Sequence, residues 1–225
     1  MTRGSAVHSF DGMHWSTGVY ADLPVNVYDH CMVKINDSML MVIGGHTGYP
    51  EYKTVNSYFF HAIENKWVLG PQLIETRYRQ SCGVMTWNNN KVVVVAGGYE
   101  FKSFPYHHIP LQSVEFLFLN DYEHSNISWV EGGSLPHIIE KPVMVEFNSG
   151  VILVGGNENS KYTNSGRHLY KLSSPKGTWT RLNQTMKEKR YYPYRLYSSP
   201  NLVQLSDSAS HSAFLVPDGI VNCHL

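Results

Sequence analysis

Three times along the chain a run of apolar, mostly β-branched positions ends in a pair of glycines. The runs are Met39-Leu40-Met41-Val42-Ile43-Gly44-Gly45, Val92-Val93-Val94-Val95-Ala96-Gly97-Gly98 and Val151-Ile152-Leu153-Val154-Gly155-Gly156. Short continuous apolar runs bounded by turn residues predict strands buried on both faces. A less uniform strand is expected ahead of each, as at 28–33 and 79–84. The two are joined by Asn36-Asp37-Ser38, Asn88-Asn89-Asn90 or Asn148-Ser149-Gly150, residues that tolerate the positive φ of a tight hairpin. Third strands are expected at 55–62, 114–119 and 168–172. After a polar turn, each repeat closes on a strand bearing Trp67, Trp129 or Trp179. Asn, Gly and Pro interrupt the chain too often for a long helical period.

The repeat unit is roughly fifty to sixty residues long, in the range of blade-like arrays. Trp15 precedes Gly44 by about as many residues as Trp67 precedes Gly97, so it is in phase although no glycine pair lies before it. A glycine pair permits close backbone approach and a sharp change of direction. One Trp per repeat offers about 150–250 Å² of contact area between neighbouring sheets.

Composition narrows the class. The 225 residues include 42% hydrophobic and 13% aromatic positions, which argues against disorder. Eighteen basic residues balance eighteen acidic ones, so no global charge favours nucleic acid or an anionic membrane. No apolar run approaches the ~20 residues of a membrane-spanning helix. The N-terminus has no continuous apolar segment and is not read as a signal peptide. The cysteines are Cys31, Cys82 and Cys223, with no CxxC spacing, and their odd number leads to an expectation of a reducing, cytoplasmic setting. Cys31 and Cys82 occupy equivalent places in consecutive first strands. They are read as small buried packing residues; a disulfide between them, the alternative, needs Cα atoms about 4.4–6.8 Å apart. The sequons at Asn36, Asn126 and Asn183 carry little weight without an export signal.

A double glycine after an apolar strand, an aromatic in the third strand (Tyr58, Phe116 or Tyr170) and then a Trp resembles the kelch repeat. The second unit is the fullest match, with Trp67 to Leu73, then Arg77-Tyr78, then Val92 to Gly98. The resemblance covers roughly residues 13–182. It implies an all-β fold, a kelch-type β-propeller of four-stranded antiparallel blades, in one domain over 1–225. Three blades are drawn at about 23–70, 71–132 and 133–182. Residues 13–19 and 183–225 are left for a partial or terminus-shared fourth. The segment His211 to Val221 resembles the first hairpin of a blade in the galactose-oxidase branch of such propellers. The ring is expected either to close through both chain ends or to be incomplete. An incomplete ring would need a partner, a second copy or further sequence, with possible self-association in that case.

Candidate chemistry is sparse. The twelve His residues include His30, His46, His61, His124 and the adjacent His107-His108, but none has HxH or HExxH spacing, so no metal or cofactor is expected. There is no GxSxG, GxGxxG or GKS/T, and no catalytic residue is assigned. The glycine pairs Gly44-Gly45, Gly97-Gly98 and Gly155-Gly156 are read as structural. The basic and aromatic stretch from Lys187 to Tyr197 has the composition of a single-strand binder; it is read instead as a loop between blades that buries its tyrosines.

The resemblance further implies that loops at 46–54, 99–113 and 157–167, together with between-blade loops at 70–78, 132–141 and 183–195, share one face that contacts partners. These loops carry Tyr49, Tyr52, Arg77, Tyr78, Tyr99, Phe101, Phe104, Tyr106, His107, Tyr162, Arg190, Tyr191 and Arg195. Tyr and Arg are enriched at interface hot spots. The expected function is a non-enzymatic module that binds a protein or peptide, as an adaptor or scaffold. The alternative is an oxidase-like or other ligand-binding propeller. Many kelch proteins are substrate-recognition arms of cullin-based ubiquitin ligases, with BTB and BACK domains ahead of the propeller. Too few residues precede Trp15 here for either, so such a role would require another subunit.

Overall fold

The computed structural model describes residues 5–11, 13–47, 56–103, 106–119, 127–158, 167–186, 203–207 and 210–215. Every regular element among them is a β-strand. Four four-stranded antiparallel sheets carry the architecture. The first holds Cys31–Asn36, Met39–Ile43, Ser57–His61 and Lys66–Leu69 in chain order. The second holds Ser81–Trp87, Asn90–Ala96, Ser113–Phe118 and Val130–Ser134. The third holds Val143–Phe147, Gly150–Val154, His168–Leu172 and Thr180–Thr185. The fourth is built from both ends of the chain: Val203–Asp207 and Ser210–Leu215 pair through the latter with His8–Phe10 and then Trp15–Thr17.

Each blade leads with its first strand against the next. Cys31–Asn36 packs on Ser81–Trp87 and also on Val203–Asp207, while Ser81–Trp87 packs on Val143–Phe147. The order round the axis is therefore the terminus-shared sheet, then the first, second and third blades.

The valine run of the second blade shows why these strands are so uniformly apolar. Side chains alternate between sheet faces. Val93 and Val95 join Cys31, Val33, Met41, Ile43 and Phe59 in the core between the first and second blades. Val92 and Val94 join Met144, Val151, Leu153 and Leu172 in the core between the second and third. A strand sandwiched this way has no polar face to show. Trp129 sits in the first of these cores and Trp179 in the second, so the Trp that leads into a blade's fourth strand wedges against the blade before it. The Trp129 indole also donates to the Pro71 carbonyl at 3.2 Å.

The glycine pairs have a steric basis. Gly45 (φ 89°) and Gly98 (φ 86°) lie in the left-handed region. A Cβ on Gly45 would stand 2.6 Å from the Tyr28 carbonyl oxygen, and one on Gly98 would stand 2.7 Å from that of Tyr78. Each pair lets the incoming between-blade segment pass directly beside the second strand.

Three expectations are corrected. First, the strands expected at 28–33 and 79–84 start later, at Cys31 and Ser81, because Asp29 (φ 53°) and Arg79 (φ 54°) are left-handed and break the extended run. Second, Cys31 and Cys82 are not separate packing residues. They form a disulfide with a Cα separation of 6.0 Å, joining the first strands of consecutive blades. Third, Arg77 is not available to a partner. Its side chain is fully buried, with Nη2 2.6 Å from Glu115, itself 2% exposed. Arg77 Nη1 donates to the carbonyls of Gly97 at 2.9 Å and Ser113 at 3.2 Å. Glu115 in turn accepts from the backbone amides of Ile74 at 2.8 Å and Glu75 at 3.2 Å. Two buried charges are tolerable only when paired and hydrogen-bonded in this way. The pair fastens the linker between the first two blades to the third strand of the second.

Candidate functional site

The left-handed residue recurs in the third blade as Lys141 (φ 50°), so Asp29, Arg79 and Lys141 hold one position in three successive repeats. The residue before each meets the one that follows a glycine pair. Tyr28 bridges His46 and Tyr78 bridges Tyr99. In the third blade Ile139 and Glu140 pair with Glu158 and Asn157. The fold thus draws linker and glycine-pair residues to one end of the blades, and there the polar side chains gather.

Between the first and second blades they form a connected cluster. The rings of Tyr28 and His46 are 5.7 Å apart, and His46 meets Tyr78 edge-on at 5.5 Å. Tyr78 lies 5.8 Å from Tyr99 and hydrogen-bonds through its hydroxyl to His108 Nδ1. The Arg79 guanidinium carbon stands 5.5 Å from the Tyr78 ring centroid. Arg79 Nε donates to Asp29 Oδ2 at 2.9 Å, and His46 Nε2 lies 3.4 Å from the same oxygen.

The electrostatics follow from these contacts. Burial works to raise the Asp29 carboxyl, but the His46 hydrogen bond and the Arg79 charge outweigh it and hold the pKa at about 2. Burial also pushes the Tyr78 phenol up to about 12, so at neutral pH it is a hydrogen-bonding group rather than a phenolate. For Arg79 burial acts downward, and Asp29 more than offsets it. Beneath the cluster, burial drives the His30 imidazole down to about 4.

The third blade repeats the theme with different residues. Glu158 receives His168 Nδ1 at 2.6 Å and the Tyr170 hydroxyl at 3.2 Å. His137 Nε2 lies 3.4 Å from its other oxygen and 3.0 Å from the Tyr170 hydroxyl. Burial, reinforced by Glu158, raises the Tyr170 phenol to about 12. Among the described residues no group of three His, Cys, Asp or Glu is arranged to hold a metal ion. At the opposite, turn end, a recess of about 420 Å³ is lined by Lys34, Asp37, Lys91 and Glu146, away from both clusters.

The structure unites two of the sequence-predicted residues, Tyr78 and Tyr99, and removes Arg77 to the interior. Tyr78 itself is largely covered and takes part through its hydroxyl and one ring edge. The long insertion after Tyr99 is a two-stranded ribbon, Tyr99–Ser103 with Tyr106–Pro110. By register it places His107 opposite Lys102 and His108 opposite Phe101, and Tyr106 opposite Ser103. Tyr49, Tyr52, Phe104, Tyr162, Arg190, Tyr191 and Arg195 lie outside the described residues. Sequence reasoning missed Tyr28, Asp29, Arg79, His137, Glu158 and His168, and weighed His46 only as a metal ligand. The available signal was positional: a polar residue immediately beyond each glycine pair, and a charged residue two positions ahead of each first strand.

No protein-family profile matches the chain, and no curated protein matches it. Among solved structures it is similar to YjhT, a kelch-repeat propeller protein, with a TM-score of 0.61 and 17% identity over 80% of this chain. The chain spans about half of YjhT, 52% of its length. The likeness is one of fold: an all-β propeller of four-stranded antiparallel blades.

Proposed function

We propose that the chain is a non-catalytic module that binds a protein or peptide through the end of the propeller carrying the glycine pairs. The observation that carries this reading is the cluster of Tyr28, His46, Tyr78, Arg79, Tyr99 and His108 across two blades. It offers aromatic edges, a half-exposed guanidinium and an exposed imidazole on a rigid frame, the chemistry typical of interface hot spots. The phenols of Tyr78 and Tyr170, both raised to about 12, are not ionised at neutral pH, which suits recognition better than nucleophilic attack. Adaptor and scaffold roles both fit. A cytoplasmic setting would keep Cys31 and Cys82 reduced, whereas a persistent disulfide belongs to an oxidising one.

The test is site-specific photo-crosslinking in extract of the native cell. A photoreactive side chain at Arg79 or His108 is expected to yield discrete protein adducts. The same group at Asn88, in a turn at the other end, is expected to yield none of them. Equal labelling from both ends, or no adducts from Arg79 and His108, contradicts the reading. A ligand-binding propeller is the second reading, favoured by the His137, Glu158, His168 and Tyr170 network. Stoichiometric copper or iron in purified protein would instead move the assignment to an oxidase-like propeller.

A further inference from the structure

The Cys31–Cys82 bond crosses the same seam, between the first and second blades, as the aromatic cluster. Cys31 stands two residues after Asp29 and Cys82 three after Arg79, so each half of the bond follows closely on one half of the Asp29–Arg79 contact. From the glycine-pair end inward, the seam is tied by Arg79 on Asp29, then by Gln80 Nε2 donating to the Ile43 carbonyl at 2.7 Å, then by the disulfide. The two polar clusters differ in what they ask of a seam. His46 meets Tyr78, and Asp29 meets Arg79, across it. The network of His137, Glu158, His168 and Tyr170 comes from the third repeat alone. At the next seam a thioether stands in place of the thiol: Met144, three residues after the left-handed Lys141, packs toward Gly83. The covalent tie thus coincides with the seam across which a cluster is assembled.

The two sulfurs lie in the core with Val33, Ile43, Val84 and Val95. Unbonded heavy atoms rest about 3.5–4.0 Å apart, so two thiols cannot keep the separation of a bonded pair. A close-packed interior passes such a displacement on to the strands. These strands begin at Cys31 and Ser81, directly behind the left-handed residues that frame the cluster. We infer that the Cys31–Cys82 bond is a redox switch for the cluster: the disulfide holds its two halves in place for binding, and the dithiol state lets them part. The switch rests on the binding role proposed above. A dithiol reductant supplies the chemistry. Its thiolate attacks one sulfur, forming a mixed disulfide and releasing the other as a thiolate, which takes up a proton. Its second thiolate then displaces the remaining cysteine, and the reductant leaves as a cyclic disulfide; two electrons and two protons pass to the protein. Both cysteines are buried, so exchange proceeds as the seam opens.

Carboxyl titration and photo-crosslinking, each on oxidised and reduced full-length protein, test it. After reduction with dithiothreitol the Asp29 carboxyl should titrate above its oxidised value of about 2 by NMR, while the imidazole signals of His137 and His168 stay in place. A photoreactive side chain at His108, in desalted cell extract, should give about fivefold fewer protein adducts from reduced than from oxidised protein. Reoxidation should restore them. Cys31→Ser and Cys82→Ala, made separately, should match the reduced state with or without dithiothreitol, and the second replacement decides if the first fails to fold. An Asp29 titration indifferent to reduction overturns the switch, as do equal adduct yields from the two states. Movement of the His137 and His168 signals together with Asp29, or loss of near-ultraviolet dichroism on reduction, overturns it too, because the bond then stabilises the whole fold. No adducts in either state overturns the binding role instead, and the titration still decides whether the bond governs the cluster.

Discussion

Arg79 Nε lies 2.9 Å from Asp29 Oδ2, and the two residues hold the same left-handed position in consecutive blades. The backbone amide of Arg79 also donates to the Asp29 carbonyl at 2.9 Å. One repeat position thus supplies both halves of an interblade contact, and it does so at the end where the aromatic cluster assembles.

Removing the guanidinium should release the carboxyl. With Arg79→Ala, the Asp29 pKa is expected to rise from about 2 by roughly one unit, read by carboxyl NMR titration. The folded pKa is depressed, so the stability Asp29 contributes is present above its ordinary value of 3.8 and is lost as pH falls toward 2. The variant should lose it sooner on acidification. An unmoved titration would mean that His46 alone holds the carboxyl.

His30 sets an earlier acid limit. Its folded pKa of about 4 lies below the ordinary 6.5, so on acidification the unfolded chain takes up the proton first. Stability is full above pH 6.5 and declines as pH drops toward 4, by about 3 kcal/mol at roughly 1.4 kcal/mol per unit. Urea titrations at pH 7 and pH 4.5 should show the loss, and His30→Gln should flatten most of it.

The indoles should divide by burial. Trp129→Ala is expected to cost about 3–5 kcal/mol, because the ring fills the core between the first two blades. Trp15→Ala, at 44% exposure, should cost less than about 1 kcal/mol. Equal losses in denaturant melts would contradict the different surroundings of the two rings.

The Arg77–Glu115 pair predicts non-additivity. Arg77→Ala leaves Glu115 buried without its counter-charge and should cost about 3–5 kcal/mol. Arg77→Met combined with Glu115→Leu should recover much of that. A double-mutant cycle with no coupling would refute the pairing.

The repeats were legible because strands buried on both faces must be apolar throughout, and Val92 to Ala96 admits no other reading. Trp129 and Trp179 were legible for the same reason, as wedges between sheets. The cluster was not. A left-handed Asp29 or Arg79 carries no compositional mark of the kind glycine gives, so Asp29 and Arg79 were read as strand residues, with Tyr28 at the head of one strand and Tyr78 in the loop ahead of the next. Arg77 and Glu115 were opaque too, since a charge in the strand Val114-Glu115-Phe116 looks solvated until its partner, distant in sequence, is brought beside it. The Cys31–Cys82 bond depends on the separation of adjacent blades, which spacing along the chain does not encode.

That bond should be worth about 4 kcal/mol for the loop of 51 residues it closes. Cys31→Ser and reduction of the native protein should lower stability by similar amounts in parallel denaturant melts.

The same cysteines give the most direct test of blades stacked first strand against first strand. Protein prepared without reductant, alkylated and digested, should yield by mass spectrometry one linked pair of peptides, containing Cys31 and Cys82, with Cys223 alkylated. Linkage of either residue to Cys223, or alkylation of all three, would contradict it.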